Sequence, residues 1–106
     1  MSVGIVSNMD AVLQVRRRVI VDADAYAEVV VWRLPQSVPP STHEFKYRLA
    51  YVVGGECVLR FDNERGKGDH RHFGGVEMAY EFSDVDKLLA DFNADIERWN
   101  REHGHS

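Results

Sequence analysis

Two glycines, Gly54–Gly55, separate two segments in which apolar and polar residues alternate. Before them, Phe45, Tyr47, Leu49, Tyr51 and Val53 alternate with Lys46 and Arg48. After them, Glu56 to Asp62 puts Cys57, Leu59 and Phe61 on one face and Val58 and Arg60 on the other. A period of two marks a half-buried strand. A Gly-Gly pair supplies the positive φ angles that a tight two-residue hairpin turn demands. The chain is therefore built around an antiparallel sheet.

Further strands precede this hairpin. Ala11 to Val21 has Leu13, Val15, Val19 and Val21 at odd positions, with Gln14, Arg16 and Arg18 at even ones and Arg17 as the misfit. Asp22–Ala23–Asp24 reads as a short turn. Tyr26 to Leu34 carries Val29–Val30–Val31–Trp32, apolar at both parities, which predicts a central strand covered on both sides. Pro35 to Thr42 holds three prolines, two serines and a threonine, the composition of a surface loop. Gly66, Gly68, Gly74 and Gly75 make the stretch after the hairpin a loop, and Met78 to Phe82 is a short fifth strand.

A helix closes the chain. Ser83–Asp84–Val85–Asp86 has the capping residue and early acids of a helix start. Val85, Leu88, Leu89, Phe92, Ile96 and Trp99 form one helical stripe. Asp86, Lys87, Asp91, Asp95, Glu97 and Arg98 lie mainly outside it. The helix runs from about Asp84 to Arg101, and His103 to Ser106 fray. The expected fold is α+β: a meandering, mostly antiparallel sheet of four to five strands packed on a long C-terminal helix. Residues 1–106 form a single domain, since 106 residues suffice for one core.

Composition narrows the function classes. At 44% hydrophobic and 28% charged the chain is globular rather than disordered. A net charge of −4 argues against a general nucleic-acid coat but permits a local basic site. The sole cysteine, Cys57, rules out an internal disulfide and fits the cytoplasm; on an apolar face it reads as a packing residue. No apolar run approaches the ~18 residues of a membrane helix. Met1 to Asp10 lacks the layout of a signal peptide.

The chemistry concentrates in Asn63–Glu64–Arg65–Gly66–Lys67–Gly68–Asp69–His70–Arg71–His72. A stretch this polar is not expected in a core, because unpaired buried charges are too costly. Histidine titrates near neutral pH, so one imidazole can act as base and another as acid. Lys and Arg can hold phosphate oxygens. If the local chain is extended, His70 and His72 share one side and Arg71 points away. Lys46 and Arg48 share a strand face, and pairing across the hairpin brings Arg60 to the same patch.

Bland readings stand beside these. The histidines can belong to a solvated loop, and the cationic patch to a solvent-facing sheet side. A zinc site would need a third ligand, Asp69 or His43, beside cations that repel the metal, so metal binding ranks below acid–base use. Gly66-x-Gly68 lacks the spacing of a nucleotide-binding fingerprint. Arg16–Arg17–Arg18 fits a blunted edge strand. Trp32 and Trp99 read as core anchors.

The hairpin Tyr47–Arg48–Leu49–Ala50–Tyr51–Val52–Val53, the strand Val58–Leu59–Arg60–Phe61–Asp62–Asn63–Glu64 and the block Lys67–Gly68–Asp69–His70–Arg71–His72 resemble the TumE-type toxins of bacterial and archaeal toxin–antitoxin systems. The resemblance runs from about Ala27 to Trp99, with Leu88–Leu89 and Trp99 of the helix also fitting. It implies a cognate antitoxin, commonly one with a helix-turn-helix DNA-binding domain. It carries over no residue role, so the roles below come from residue chemistry.

Two readings of different classes follow. In the first the chain is a toxin acting on RNA as a metal-independent endoribonuclease without cofactor. One of His70 and His72 takes a proton from a 2′-hydroxyl, and the other, or Lys67, protonates the leaving oxygen. Lys67, Arg71 and Arg48, with Lys46 and Arg60 in the same patch, hold the phosphate. Asp69 orients a histidine. Nucleotidyl transfer fits almost as well, although no paired metal-binding carboxylate motif is visible. In the second reading the chain is a non-catalytic module that docks nucleic acid or an acidic protein. A homodimer is compatible with either.

Overall fold

The computed structural model describes residues 11–104. Met1 to Asp10 and the final His105 and Ser106 lie outside the described residues. The chain forms β1 (Val12–Asp22), β2 (Ala25–Arg33), β3 (Phe45–Val53), β4 (Glu56–Glu64), β5 (Gly68–Phe73), β6 (Val76–Ala79) and a helix, α1 (Val85–Glu102). All neighbouring strands are antiparallel and the sheet order follows the chain, β1 to β6. The sheet has six strands rather than four or five. The difference lies in the glycine-rich stretch: its glycines end strands instead of dissolving them. The fifth strand expected at Met78 to Phe82 is β6, which starts earlier and stops at Ala79.

Gly54 and Gly55 make the expected hairpin turn with φ of 58° and 81°. Around it, Leu49 faces Phe61 and Tyr51 faces Leu59. The register then slips so that Val52 faces Cys57. The bulge turns Val58 into the core and leaves Cys57 exposed, contrary to the simple alternation.

One face of the sheet packs on α1. Ala25, Ala27, Val29, Val31, Tyr47, Leu49, Tyr51, Leu59 and Phe61 meet Leu88, Phe92, Ile96 and Trp99 in a single core, with Val85 and Leu89 at its margin. All six residues of the helical stripe thus serve the core. Phe61 sits at the centre, edge-on to Tyr80 and Phe92 with ring centroids 5.1 and 5.9 Å apart. Asp84 caps the helix by accepting from the Lys87 amide at 2.7 Å. At the other end His103 does not fray. Its amide bonds the Trp99 carbonyl and its ring stacks on Trp99 at 3.9 Å.

Among the described residues the opposite face has no covering layer. In β2 only Ala25, Ala27, Val29 and Val31 are buried, whereas Tyr26, Val30 and Trp32 are half-buried on the other side. Trp32 is therefore not a core anchor, and among the described residues β2 is not covered twice: their one helix provides one second layer.

Asn63, fully buried, extends the β3–β4 ladder with its side chain. Its Oδ1 accepts from the Tyr47 amide at 3.0 Å and its Nδ2 donates to the Phe45 carbonyl at 2.7 Å. Asn63→Ala is expected to orphan both groups, at about 1–3 kcal/mol each. Urea unfolding should show this loss, and a change under about 0.5 kcal/mol, the size of an ordinary surface substitution, would reject the role.

Candidate active site

The polar block is a strand. β5 pairs with β4 from Leu59–Phe73 to Glu64–Gly68, and with β6 from His70–Ala79 to Phe73–Val76. A strand sends alternate side chains to opposite faces, so the block is divided. Asp69 and Arg71 go to the helix side, and His70 and His72 to the uncovered side.

Two charged residues can enter the helix side because each finds partners. Arg71 Nε donates to Asp95 Oδ2 at 2.8 Å and its Nη2 donates to Asp95 Oδ1. The Asp95 side chain is only 4% exposed. The bidentate bond from Asp95 keeps Arg71 more firmly protonated than usual. The guanidinium also lies 5.3 Å from the Phe61 ring centroid. Asp95, expected outside the helix stripe, is thus buried as this counter-ion.

Asp69 accepts from Tyr47 Oη at 2.6 Å, from His43 Nε2 at 2.7 Å and from Ser41 Oγ. Burial opposes its charge, but these hydrogen bonds prevail and its carboxyl lies below the ordinary value. Burial, with Asp69 adding to it, pushes the Tyr47 hydroxyl well up. Asp69 does orient a histidine, but the histidine is His43. The backbone amide of Phe45 donates to His43 Nδ1 at 3.1 Å, so both ring nitrogens are occupied. That ring also stacks on Phe82 at 3.9 Å. Ser41, His43 and Asp69 are therefore a clasp between the β2–β3 connection and β5. Pro40 completes it, with its Cγ 3.1 Å from where a Cβ on Gly68 would stand. Gly68 has φ of +79°, so a side chain there is excluded twice.

On the uncovered side, cross-strand pairs gather the remaining candidates. Arg48 faces Asp62, and Asp62 faces His70. In the next row Arg60 faces His72, which faces Glu77. Lys67, in the β4–β5 turn, joins them: its Nζ is 3.3 Å from Glu77 Oε2. His72 Nε2 lies 3.6 Å and His70 Nε2 3.9 Å from the same oxygen. Lys67, His70 and His72 thus surround one carboxylate. The Lys67 contact, with the charge of that ammonium, holds the Glu77 carboxyl below its ordinary value.

The two histidines are not equivalent. His70 Nδ1 lies 3.1 Å from the Gly68 carbonyl and must donate to it, which leaves Nε2 as the lone-pair nitrogen of the neutral ring. His72 Nε2 lies 3.0 Å from Arg60 Nη2. A guanidinium cannot accept, so this nitrogen accepts from Arg60. The shorter Arg60 contact, rather than Glu77, defines its state. Arg60 Nε also lies 3.3 Å from Asp62 Oδ2, outside hydrogen-bond geometry.

Beside these rows is a cleft of about 490 Å³ with Val30 and Trp32 as its apolar part and Lys46, Arg48, Arg60, Asp62 and Glu64 around it. Lys46 Nζ donates to the Asn63 carbonyl. The cationic patch read from the hairpin, Lys46, Arg48 and Arg60, is therefore assembled, whereas Arg71, expected to hold phosphate beside it, lies on the helix side with Asp95. Among the described residues no three His, Cys, Asp or Glu side chains are arranged to hold a metal ion, and no helix is long and apolar enough to cross a membrane.

A family model described as toxin TumE matches residues 5–100. The chain belongs to the TumE toxin family. This TumE toxin is therefore one half of a toxin–antitoxin pair, with a cognate antitoxin as partner. The match takes in all of β1 to β6 and most of α1. No curated protein and no solved structure gives a significant match. Glu77 is the site residue that sequence reasoning missed. It sits five positions beyond His72, and only the β5–β6 hairpin brings the two opposite each other.

Two predictions test this division of β5. Arg71→Leu should strand the Asp95 charge and cost about 3–5 kcal/mol, whereas Arg71→Leu/Asp95→Leu should recover most of it. A double variant no more stable than the single one, by chemical denaturation, would show that the pair does not act as a unit. For Asp69, the folded carboxyl titrates below the unfolded one. Its contribution is then complete above about pH 4 and fades as pH falls below that. The stability gap between the wild type and Asp69→Asn should shrink from pH 6 to pH 3. A constant gap across that range would contradict the assignment.

Proposed function

We propose that this toxin cleaves RNA without a metal ion, using the uncovered face of β3 to β6. The observation that carries the reading is the pair of differently held imidazoles beside Lys67 and Arg60. His70, with Nδ1 committed to Gly68, presents Nε2 as the base that removes the proton of a 2′-hydroxyl. The alkoxide attacks the adjacent phosphorus and the 5′-oxygen leaves. Lys67 donates the proton that this oxygen takes up, and the products are a 2′,3′-cyclic phosphate and a 5′-hydroxyl end. Arg60 and Arg48 face the charge that grows on the phosphate. His72, bonded to Arg60, fixes that guanidinium in place.

The cleft supports the same reading. Trp32 gives a base an apolar platform, and the neighbouring Lys46 and Arg48 suit the backbone of a single strand. Arg71 and Asp69 act from the helix side by holding β5 in position. An RNA target places the activity in the cytoplasm. We read the cognate antitoxin as a helix-turn-helix protein, on the family resemblance.

Induction of the wild-type chain alone should arrest growth. His70→Ala should slow cleavage of a labelled RNA in EDTA by about 10²–10⁴-fold under single-turnover conditions while leaving the melting temperature unchanged. Growth arrest that persists in His70→Ala/His72→Ala at matched soluble expression would replace this chemistry with a binding mechanism.

A further inference from the structure

β1 ends the sheet, and its outer edge pairs with no strand among the described residues. Such an edge offers a row of unpaired backbone N–H and C=O groups. Its side chains do not look like those of a finished surface. Val12, Leu13, Val19, Ile20 and Val21 are 56%, 41%, 43%, 70% and 39% exposed. They occupy both ends of the strand, with Arg16–Arg17–Arg18 between them. Edge blunting accounts for the arginines but not for five exposed aliphatic residues in one strand. The helix side shows the same shortfall. A groove of about 450 Å³ separates β1 from α1, with Val15, Val19, Val21, Leu89, Phe92 and Ile96 among its lining.

We propose that β1 is the docking edge for the antitoxin, which adds an extended segment as a seventh strand. The charge pattern specifies that segment: acidic residues in the middle and apolar residues at both ends. The regular part of β1 lies between two register shifts, at Leu13/Val15 and Ile20/Asp22, and so comprises Val15 to Ile20. Within it Arg18 already has Glu28 at 3.9 Å and stacks over Tyr26. Arg16 and Arg17 form no ion pair among the described residues. An acidic strand supplies their counter-charges across the new ladder. A second copy of the chain does the opposite. Antiparallel pairing of β1 with itself about Arg17 sets Arg16 against Arg18, and like charges directly opposite are destabilising. The edge thus admits an acidic partner and rejects itself.

The proposal rests on the family's toxin–antitoxin character and is independent of the RNA reading. Its test uses the full chain and the antitoxin encoded with it. Arg16→Glu/Arg17→Glu should fold, should weaken antitoxin binding about 30-fold and should escape neutralisation in co-expression. Ile20→Glu, at the most exposed apolar position, should also weaken binding and guards against a fold effect of the double change. In hydrogen exchange, the amides of residues 15–20 should be fast in the free toxin and become protected in the complex. Unchanged affinity in both variants would overturn the proposal. Slow exchange there in the free toxin would mean that a second copy or residues 1–10 cover the edge. Protection confined to residues 89–96 would mean a helix in the groove. Either result would also overturn it.

Discussion

The pairing of Arg71 with Asp95 decides how the rest of this molecule is arranged. It anchors β5 to α1 across the core, with two parallel hydrogen bonds to a carboxylate that has little access to water. Breaking such a pair from one side leaves a buried charge, which is far costlier than never having formed it. The strand is thereby locked with its odd residues inward, because a one-residue slip would send every side chain of β5 to the wrong face. His70 and His72 are presented outward as a consequence. A buried ion pair that adds little net stability still sets the register on which the candidate chemistry depends.

The Asp69 clasp acts at the other end of β5. It collects two donors, Ser41 and His43, from a connection that carries three prolines and a third, Tyr47, from β3, and so gives that connection a fixed seat. Gly68 yields the space for Pro40 and presents its carbonyl to His70. One short segment thus links the packing of a loop to the tautomer of a half-buried imidazole. The uncovered face is left for function because, among the described residues, the helix lies on the other side. Its rows, Arg48–Asp62–His70 and Arg60–His72–Glu77, are products of strand register rather than of sequence proximity.

Much of the framework was legible in the residues. The Gly54–Gly55 turn, the Phe45–Val53 strand and the helical stripe from Val85 to Trp99 follow from periodicity that has one solution each. The patch of Lys46, Arg48 and Arg60 was legible only in part: the two-residue turn alone would set Arg60 against Leu49, and the bulge after Tyr51 sets it against Ala50, on the face of Arg48. Legibility failed where partners lie far along the chain. Cys57 left the core because of a bulge that alternation does not encode. Trp32 was misplaced because an apolar run does not say which of its faces lacks a covering layer. β5 looked like a loop because its polarity suggested solvent, while Asp95, 24 residues away, makes burial of Arg71 acceptable.

The sequence by itself determined the antiparallel meander, the capped amphipathic helix and the list of groups available for chemistry. These depend on local pattern: turn glycines, periods of two and 3.6, and a capping aspartate. The tertiary structure alone decided which of those groups meet. It joined Lys67, His70 and His72 around Glu77, and it took Asp69 to His43 and Arg71 to Asp95. The physical reason is that a charged side chain has no fixed place until its counter-charge does, and the counter-charges here arrive on β6, the β2–β3 connection and α1.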